Sequence, residues 1–398
     1  MNRVIFWVAA AAVGWTYAGF PAFVVLRARL RPRPHEQADI TPTVSVIIAA
    51  HDEQDVIGAR VDNLLALDYP PDRLEIVIAS DGSTDGTATL AAGRGDPRVR
   101  VLDLPRVGKA TALNSAVAAS AGSILVFSDA NTAFAADAVR VLVRSFADDE
   151  VGGVAGNQLY LRDGAAGGVE GATAAGVGER RYWDMDRVVK VAESRGGNVI
   201  SATGAIYALR RELFRPVPDG VTDDFVTSTQ VVRQGRRLVF EPGAVAVEPV
   251  AGASRREYGR KVRIMTRGLR GVAAARELLD PRRSGFYAIQ LLTHKVLRRL
   301  MVVPLVVVAA VTPSLWNDGA IYRAAAVGQV AVYGLGAAGL ALRDHPAGRR
   351  PWFALPAFFC LVNIASVHAV WNLLTGRRID RWRPTRDPVL PTEIGPSR

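Results

Sequence analysis

The sequence predicts an α/β domain with a mainly parallel central sheet, framed by transmembrane helices at both ends of the chain. Three observations predict it. Between residues 43 and 250, short β-branched runs alternate with helix-like segments, the alternation that builds parallel sheets. Two of these runs end in acidic turns, Ile76-Val-Ile-Ala-Ser-Asp81-Gly-Ser-Thr-Asp85-Gly-Thr and Ser123-Ile-Leu-Val-Phe-Ser-Asp129-Ala-Asn131-Thr. Uncharged apolar stretches of spanning length lie near both termini.

The domain opens with Val44 to Ala50, an apolar run suited to a strand buried on both faces. A helix should follow from about Asp55. Further strands fit Leu74 to Ala79, Val99 to Leu102 and Ile124 to Phe127, with an alanine-rich helix over Gly108 to Ser120. After Gly152 the pattern loosens into a glycine-rich stretch, Gly164 to Gly178, and a polar aromatic helix around Tyr182 and Trp183, which suggests an acceptor-side subdomain. Carboxylates at the carboxyl ends of parallel strands lie where open α/β sheets place their ligand crevice. Turns so placed can hold a nucleotide and its metal.

Residues 1–26 read as a retained membrane anchor, because Val4 to Leu26 carries no charge and exceeds a signal-peptide core. Residues 27–42 read as a basic, proline-rich linker, and 251–299 as basic interfacial helices. Residues 300–376 hold two or three further segments: Leu300 to Trp316, short and interrupted by Pro304 and Pro313, then Ala324 to Leu342 and Trp352 to Thr375. A basic tail, 377–398, follows. Arginines beside the spans place residues 27 to 299 in the cytoplasm, giving a multi-pass protein of the cell (inner) membrane. Four complete spans would leave the arginine-rich tail outside, so either the short segment is re-entrant or the tail is an exception.

The net charge of +11 comes mostly from arginine, since the only lysines are Lys109, Lys190, Lys261 and Lys295. Most of the excess lies beside apolar runs, which points to membrane lipids and not to nucleic acid. The single cysteine, Cys360, excludes a disulfide framework and a cysteine-rich zinc site. Asp129 is the strongest metal candidate, because a diphosphate calls for a hard divalent cation, Mg²⁺ or Mn²⁺, with oxygen ligands. Asn131 can add a carbonyl oxygen but no charge. Capping alone suits Asp85 and competes for one carboxylate of Thr222-Asp223-Asp224. His51, beside a strand end, suits a structural role.

The chain resembles the membrane-embedded bacterial family 2 inverting glycosyltransferases, the group that includes polysaccharide synthases. The likeness runs from Val44-Ser-Val-Ile-Ile-Ala-Ala-His-Asp-Glu53 through the Asp81 turn, Gly108-Lys-Ala-Thr-Ala-Leu-Asn114, Ser128-Asp-Ala-Asn131 and Gly204-Ala-Ile-Tyr-Ala-Leu-Arg-Arg-Glu-Leu213 to Thr222-Asp-Asp224. The resemblance implies a GT-A-like domain that binds a UDP-sugar, with a lipid-linked or growing glycan as acceptor. It implies that Glu53 and Asp81 hold the uridine, that Lys109 lies near the nucleotide, and that Asp129 with Asn131 holds the metal. Gly204 and Ala205 fall on the acceptor side. Asp224 takes the general base's place, with Asp223 standing where the family has glutamate.

Two departures stand out. Asp-Ala-Asn replaces Asp-x-Asp at residues 129–131, and Arg260-Lys-Val-Arg263-Ile replaces Gln-x-x-Arg-Trp, so only Arg263 remains to hold the leaving diphosphate. Arg256, Arg260, Arg263, Arg267 and Arg270 also recur at helical intervals, which equally suits a cationic interfacial helix. Single transfer and processive synthesis both stay open. The rival reading is a non-catalytic membrane scaffold or regulator that keeps the nucleotide-binding fold. No Gly-x-Gly-x-x-Gly follows the first strand, which disfavours a dinucleotide-dependent oxidoreductase.

Overall fold

The structure, a computed structural model, describes residues 1–160, 174–248, 254–343 and 345–377. It divides into two units. One holds the described residues of Ala28–Arg162 and Lys190–Ala251, the other those of Met1–Arg27, Asp163–Val189 and Gly252–Ile379. Most of the glycine-rich stretch and nearly all of the basic tail lie outside the described residues, as do the side chains of Tyr182, Trp183 and Arg256.

The first unit is built on one eight-stranded sheet: β1 Val44–Ala50, β2 Leu74–Asp81, β3 Val99–Leu104, β4 Ile124–Asp129, β5 Ala133–Phe134, β6 Val151–Tyr160, β7 Tyr207–Arg210 and β8 Arg237–Glu248. Their order is β3-β2-β1-β4-β7-β6-β8-β5. Every residue of β1 is buried. Val44, Val46, Ile48 and Ala50 enter the core on one face, Ile47 and Ala49 the core on the other. A strand covered on both sides needs no polar alternation, which is why its sequence is an unbroken apolar run.

β2 and β4 each run two residues beyond their apolar stretches, because the parallel ladders continue to pair Asp81 with Leu104 and Asp129 with Ala49. Both aspartates are therefore fixed strand-end residues. The chain winds outward through β1, β2 and β3, then places β4 on the other side of β1. That reversal is a topological switch point, with a crevice at the carboxyl ends of β1 and β4.

Beyond β4 the sheet is mixed. β7 runs antiparallel to both β4 and β6, while β6 and β8 are parallel. The sequence does not announce β6, because Gly152, Gly153 and Gly156 dilute its apolar pattern. Packing requires those glycines: a Cβ at Gly152 would lie 2.4 Å from Leu213, and one at Gly156 2.6 Å from Ile206.

In the second unit, three helices are long and apolar enough to cross a membrane: Asn2–Leu30, Ala320–Ala341 and Pro351–Leu374. A bent pair, Phe286–Leu300 and Val302–Asp318, meets at 53°. The first helix does not stop at Leu26. It continues through Arg27 to Leu30 and ends just before Pro32 and Pro34, which cannot extend it. Its π-turn at Trp15–Gly19 comes just before Pro21, which lacks the N–H that a regular turn would use.

The bent pair runs antiparallel to the first helix along its length. At one end Arg3 Nε donates to Asp318 Oδ2 (2.8 Å) and Asn2 Nδ2 to Ser314 Oγ (2.9 Å). Phe6 and Leu315 share a buried cluster with Tyr322, against which Ala10, Val308 and Val311 pack. At the other end the Phe23 ring lies 5.8 Å from that of Phe286, and the Arg27 guanidinium 4.3 Å above it. The segment beginning at Leu300 is thus the second half of a longer element that reaches both ends of its neighbour.

The arginine-rich helix is Ser254–Ala274. It buries Val262, Thr266 and Leu269, and Met265 Sδ accepts from Ser366 Oγ at 3.3 Å.

Candidate active site

The turns after β1 and β2 are tied together at the rim. Asp52 Oδ1 accepts from the Thr84 N–H (2.8 Å), and the Glu53 N–H donates to Thr87 Oγ1 (2.7 Å). Asp85 accepts from the N–H groups of Gln54 (3.2 Å) and Thr87 (3.0 Å). It therefore serves the turn, as its neighbours suggested. His51 Nε2 lies 3.3 Å from Asp52 Oδ2, and Glu53 is buried at the end of β1.

Asp81 is 1% exposed, and protein groups meet both its oxygens. Oδ1 accepts from the backbone N–H groups of Val107 (2.7 Å) and Gly108 (2.8 Å), and Oδ2 from Arg106 Nη1 (2.8 Å). Gly108, at φ +91°, then launches the helix Lys109–Ala119. Asp81 thus fixes the turn that aims Lys109. Gly82 is required beside it: φ is +59°, and a Cβ would stand 2.7 Å from the Arg106 nitrogen.

Lys109 is the hub. Its Nζ donates to Asp129 Oδ1 at 2.7 Å and lies 3.0 Å from Asp223 Oδ2. Burial alone would lower its pKa, but the two carboxylates outweigh burial and hold it well above the usual lysine range. Asp223 and Asp224 open the helix Asp223–Arg233, whose N-cap is Thr222. Neither acid is the cap. Both lie in the first turn, where the helix dipole favours negative charge. Asp223 reaches Lys109, while Asp224 Oδ1 accepts from the Phe225 N–H at 2.7 Å.

Behind this cluster lie polar groups that motif reading missed. Arg60 is fully buried, and its Nη2 donates to Ser128 Oγ (2.8 Å) next to Asp129. Burial pulls its pKa down to about 9, with Asp129 and Glu248 pulling the other way. The signal for Arg60 is its place in the buried stripe Val56, Ile57, Arg60, Val61, Leu64: a charge at an interior position demands partners. Tyr207, stacked on Phe127 at 5.0 Å, has its pKa raised by burial and then by Asp223, Asp224 and Asp129. Arg106, three residues before Lys109, was also missed. A basic residue just ahead of Gly-Lys after a strand was its only mark.

Gly204 and Ala205, expected on the acceptor side, pack against β4. The Ala205 carbonyl accepts from Ser128 Oγ (2.8 Å), and a Cβ at Gly204 would stand 2.7 Å from Asp129 Oδ2. Gly204→Ala should push that carboxylate aside and lower kcat/KM about 10- to 100-fold while leaving the melting temperature near that of the parent. Nucleotide-release kinetics and thermal unfolding check this. Asn131 is half-buried two residues beyond Asp129, and Arg263 belongs to the other unit, half-buried on the helix Ser254–Ala274.

Among the described residues, no three His, Cys, Asp or Glu side chains come together to hold a cation. Asp129, at the strand end with its side chain 33% exposed, offers one carboxylate. That donor set fits a divalent ion taking its remaining ligands from diphosphate oxygens and water, the usual manner of Mg²⁺.

Residues 45–217 match the profile of Glycosyl transferase family 2. The chain is 26% identical over 259 residues to an N-acetylglucosaminyltransferase of Rhizobium sp. (strain N33), covering 60% of this chain and 56% of that protein. It is 26% identical over 249 residues to a poly-beta-1,6-N-acetyl-D-glucosamine synthase of Staphylococcus aureus (strain MSSA476), covering 61% and 57%. The chain thus spans little more than half the length of these curated relatives. Among solved structures it is similar to the mannosyltransferase PcManGT of Pyrobaculum calidifontis in complex with GDP-Man and Mn²⁺, with a TM-score of 0.67 and 25% identity over 94% of this chain and 100% of that one. With its switch-point crevice and strand-end acids, the α/β domain of this chain is a GT-A-like glycosyltransferase domain, and its residues 45–217 carry the match to glycosyl transferase family 2.

Proposed function

We propose that the chain moves a sugar, with inversion, from a UDP-sugar to a hydroxyl of a lipid-linked or growing glycan acceptor at the cytoplasmic side of the inner membrane, in cell-envelope or exopolysaccharide synthesis. The observation that carries this reading is the convergence of Lys109, Asp129 and Asp223 at the switch point, with Nζ–O distances of 2.7 and 3.0 Å. An ammonium and a strand-end carboxylate in one crevice suit a diphosphate and its cation.

Asp224, beside Asp223 in the same helical turn, is the base. It takes the proton of the acceptor hydroxyl as that oxygen attacks the anomeric carbon from the face opposite the nucleotide. Positive charge then develops on the sugar ring as in glycoside cleavage. Lys109 supplies donors to the leaving diphosphate, and Asp81 keeps Lys109 aimed. Asp129, with Asn131 adjacent, would hold Mg²⁺ or Mn²⁺, which would supply positive charge to offset that of the departing diphosphate. Glu53, buried beside this rim, contributes acceptor oxygens to the uridine. The arginines that flank the apolar helices support the cytoplasmic placement.

The names of the curated relatives make N-acetylglucosamine the first donor sugar to try. GDP-mannose is the second reading, favoured by the solved mannosyltransferase. The full chain in lipid nanodiscs should release UDP from one UDP-sugar of a panel when acceptor and Mg²⁺ or Mn²⁺ are supplied. Turnover of GDP-mannose alone would replace the UDP half of the proposal. UDP binding without turnover of any donor would favour the scaffold reading.

A further inference from the structure

We propose that Lys109 is a resident counter-cation that makes capture of a divalent ion at Asp129 conditional on a nucleoside diphosphate. The inference rests on the donor reading above and adds an order to it. Lys109 Nζ bridges Asp129 Oδ1 and Asp223 Oδ2 at 2.7 and 3.0 Å, so one oxygen of the carboxylate that would ligate a metal already accepts from a positive charge. A second positive charge, the buried Arg60, donates to Ser128 Oγ next to Asp129 and attracts the same carboxylate electrostatically. The position two residues on is a neutral asparagine, and among the described residues no third acid joins the group.

A bare divalent ion arriving here meets like charge a few ångströms away and too few carboxylates to repay its lost water. A diphosphate changes both terms. Its oxygens offer Lys109 a new anionic partner, to which the flexible four-carbon stem can turn, releasing Asp129 Oδ1. The same oxygens complete the metal's ligand shell. Cation and nucleotide therefore bind with positive coupling, and by linkage each raises the other's affinity by the same factor.

The test reads free Mn²⁺ by electron paramagnetic resonance with the purified full chain, and UDP or GDP by calorimetry. UDP should tighten Mn²⁺ binding to the parent protein by about tenfold or more, within the usual range for coupled sites. Lys109→Gln should bind Mn²⁺ alone about tenfold more tightly than the parent and lose most of the coupling, while Lys109→Arg keeps the charge and the coupling. Equal affinity of the parent and Lys109→Gln for Mn²⁺ alone overturns the proposal even where nucleotide binds. Should Lys109→Gln not fold, the parent decides: Mn²⁺ bound equally well with and without UDP or GDP also overturns it. Absence of all nucleotide binding would instead sink the donor reading, and the Mn²⁺-only comparison would then show whether Lys109 competes for Asp129.

Discussion

Asp129→Ala is expected to abolish sugar transfer, lowering the rate of nucleotide release about 10³-fold or more. The carboxylate is the point where three interactions meet. Lys109 donates to it at 2.7 Å, the buried Arg60 attracts it electrostatically, and Gly204 leaves it the room its second oxygen needs. Truncation removes the proposed anchor for a diphosphate's cation and leaves Lys109 with Asp223 as its carboxylate partner in the rim. Asp129→Asn preserves shape but not charge and should lose nearly as much activity. Steady-state release assays decide the matter, with circular dichroism to show that the sheet is intact. Activity within tenfold of the parent in either variant would remove Asp129 from the reaction.

Asp224→Asn is the second large effect. A positioned base contributes about 10² to 10⁴ in rate, so kcat should fall by that much. The dissociation constant for UDP should stay within about twofold, because the loss falls on the transition state alone. The adjacent Asp223→Asn should behave differently. It breaks the 3.0 Å contact with Lys109 and so should disturb nucleotide binding as well as turnover. Isothermal titration beside single-turnover kinetics separates the two patterns. Retained turnover in Asp224→Asn would end its assignment as base.

The sequence disclosed the first half of the sheet because β1, β2 and β4 are buried on both faces and Asp81 and Asp129 each follow an apolar run. Ile76 to Asp81 and Ile124 to Asp129 carry strand and site in one stretch. The second half was hidden for packing reasons. β6 needs glycines where Leu213 and Ile206 press against it, and glycine erases the pattern that would mark a strand. Lys109, Asp129 and Asp223 were legible as individual candidates, but not their meeting, which depends on where the helix after Thr222 comes to rest. Arg60 was legible only through periodicity: it occupies an interior position of its helix, and short motifs do not register burial. Asp81 was expected to serve a ligand. Its two oxygens also hold Arg106, Val107 and Gly108, a local architecture that residue type alone does not reveal.

The antiparallel seating of β7 against β4 has a consequence for how the protein matures. Asp129 meets Gly204, and Lys109 meets Asp223, only across long intervals of chain. Contacts of such separation form late, after the loop entropy between them has been overcome. During synthesis the apolar amino-terminal helix emerges well before the segments that close the pocket. A nascent chain would thus reach the lipid before it is able to act on any sugar, and competence would come as the last stage of its assembly.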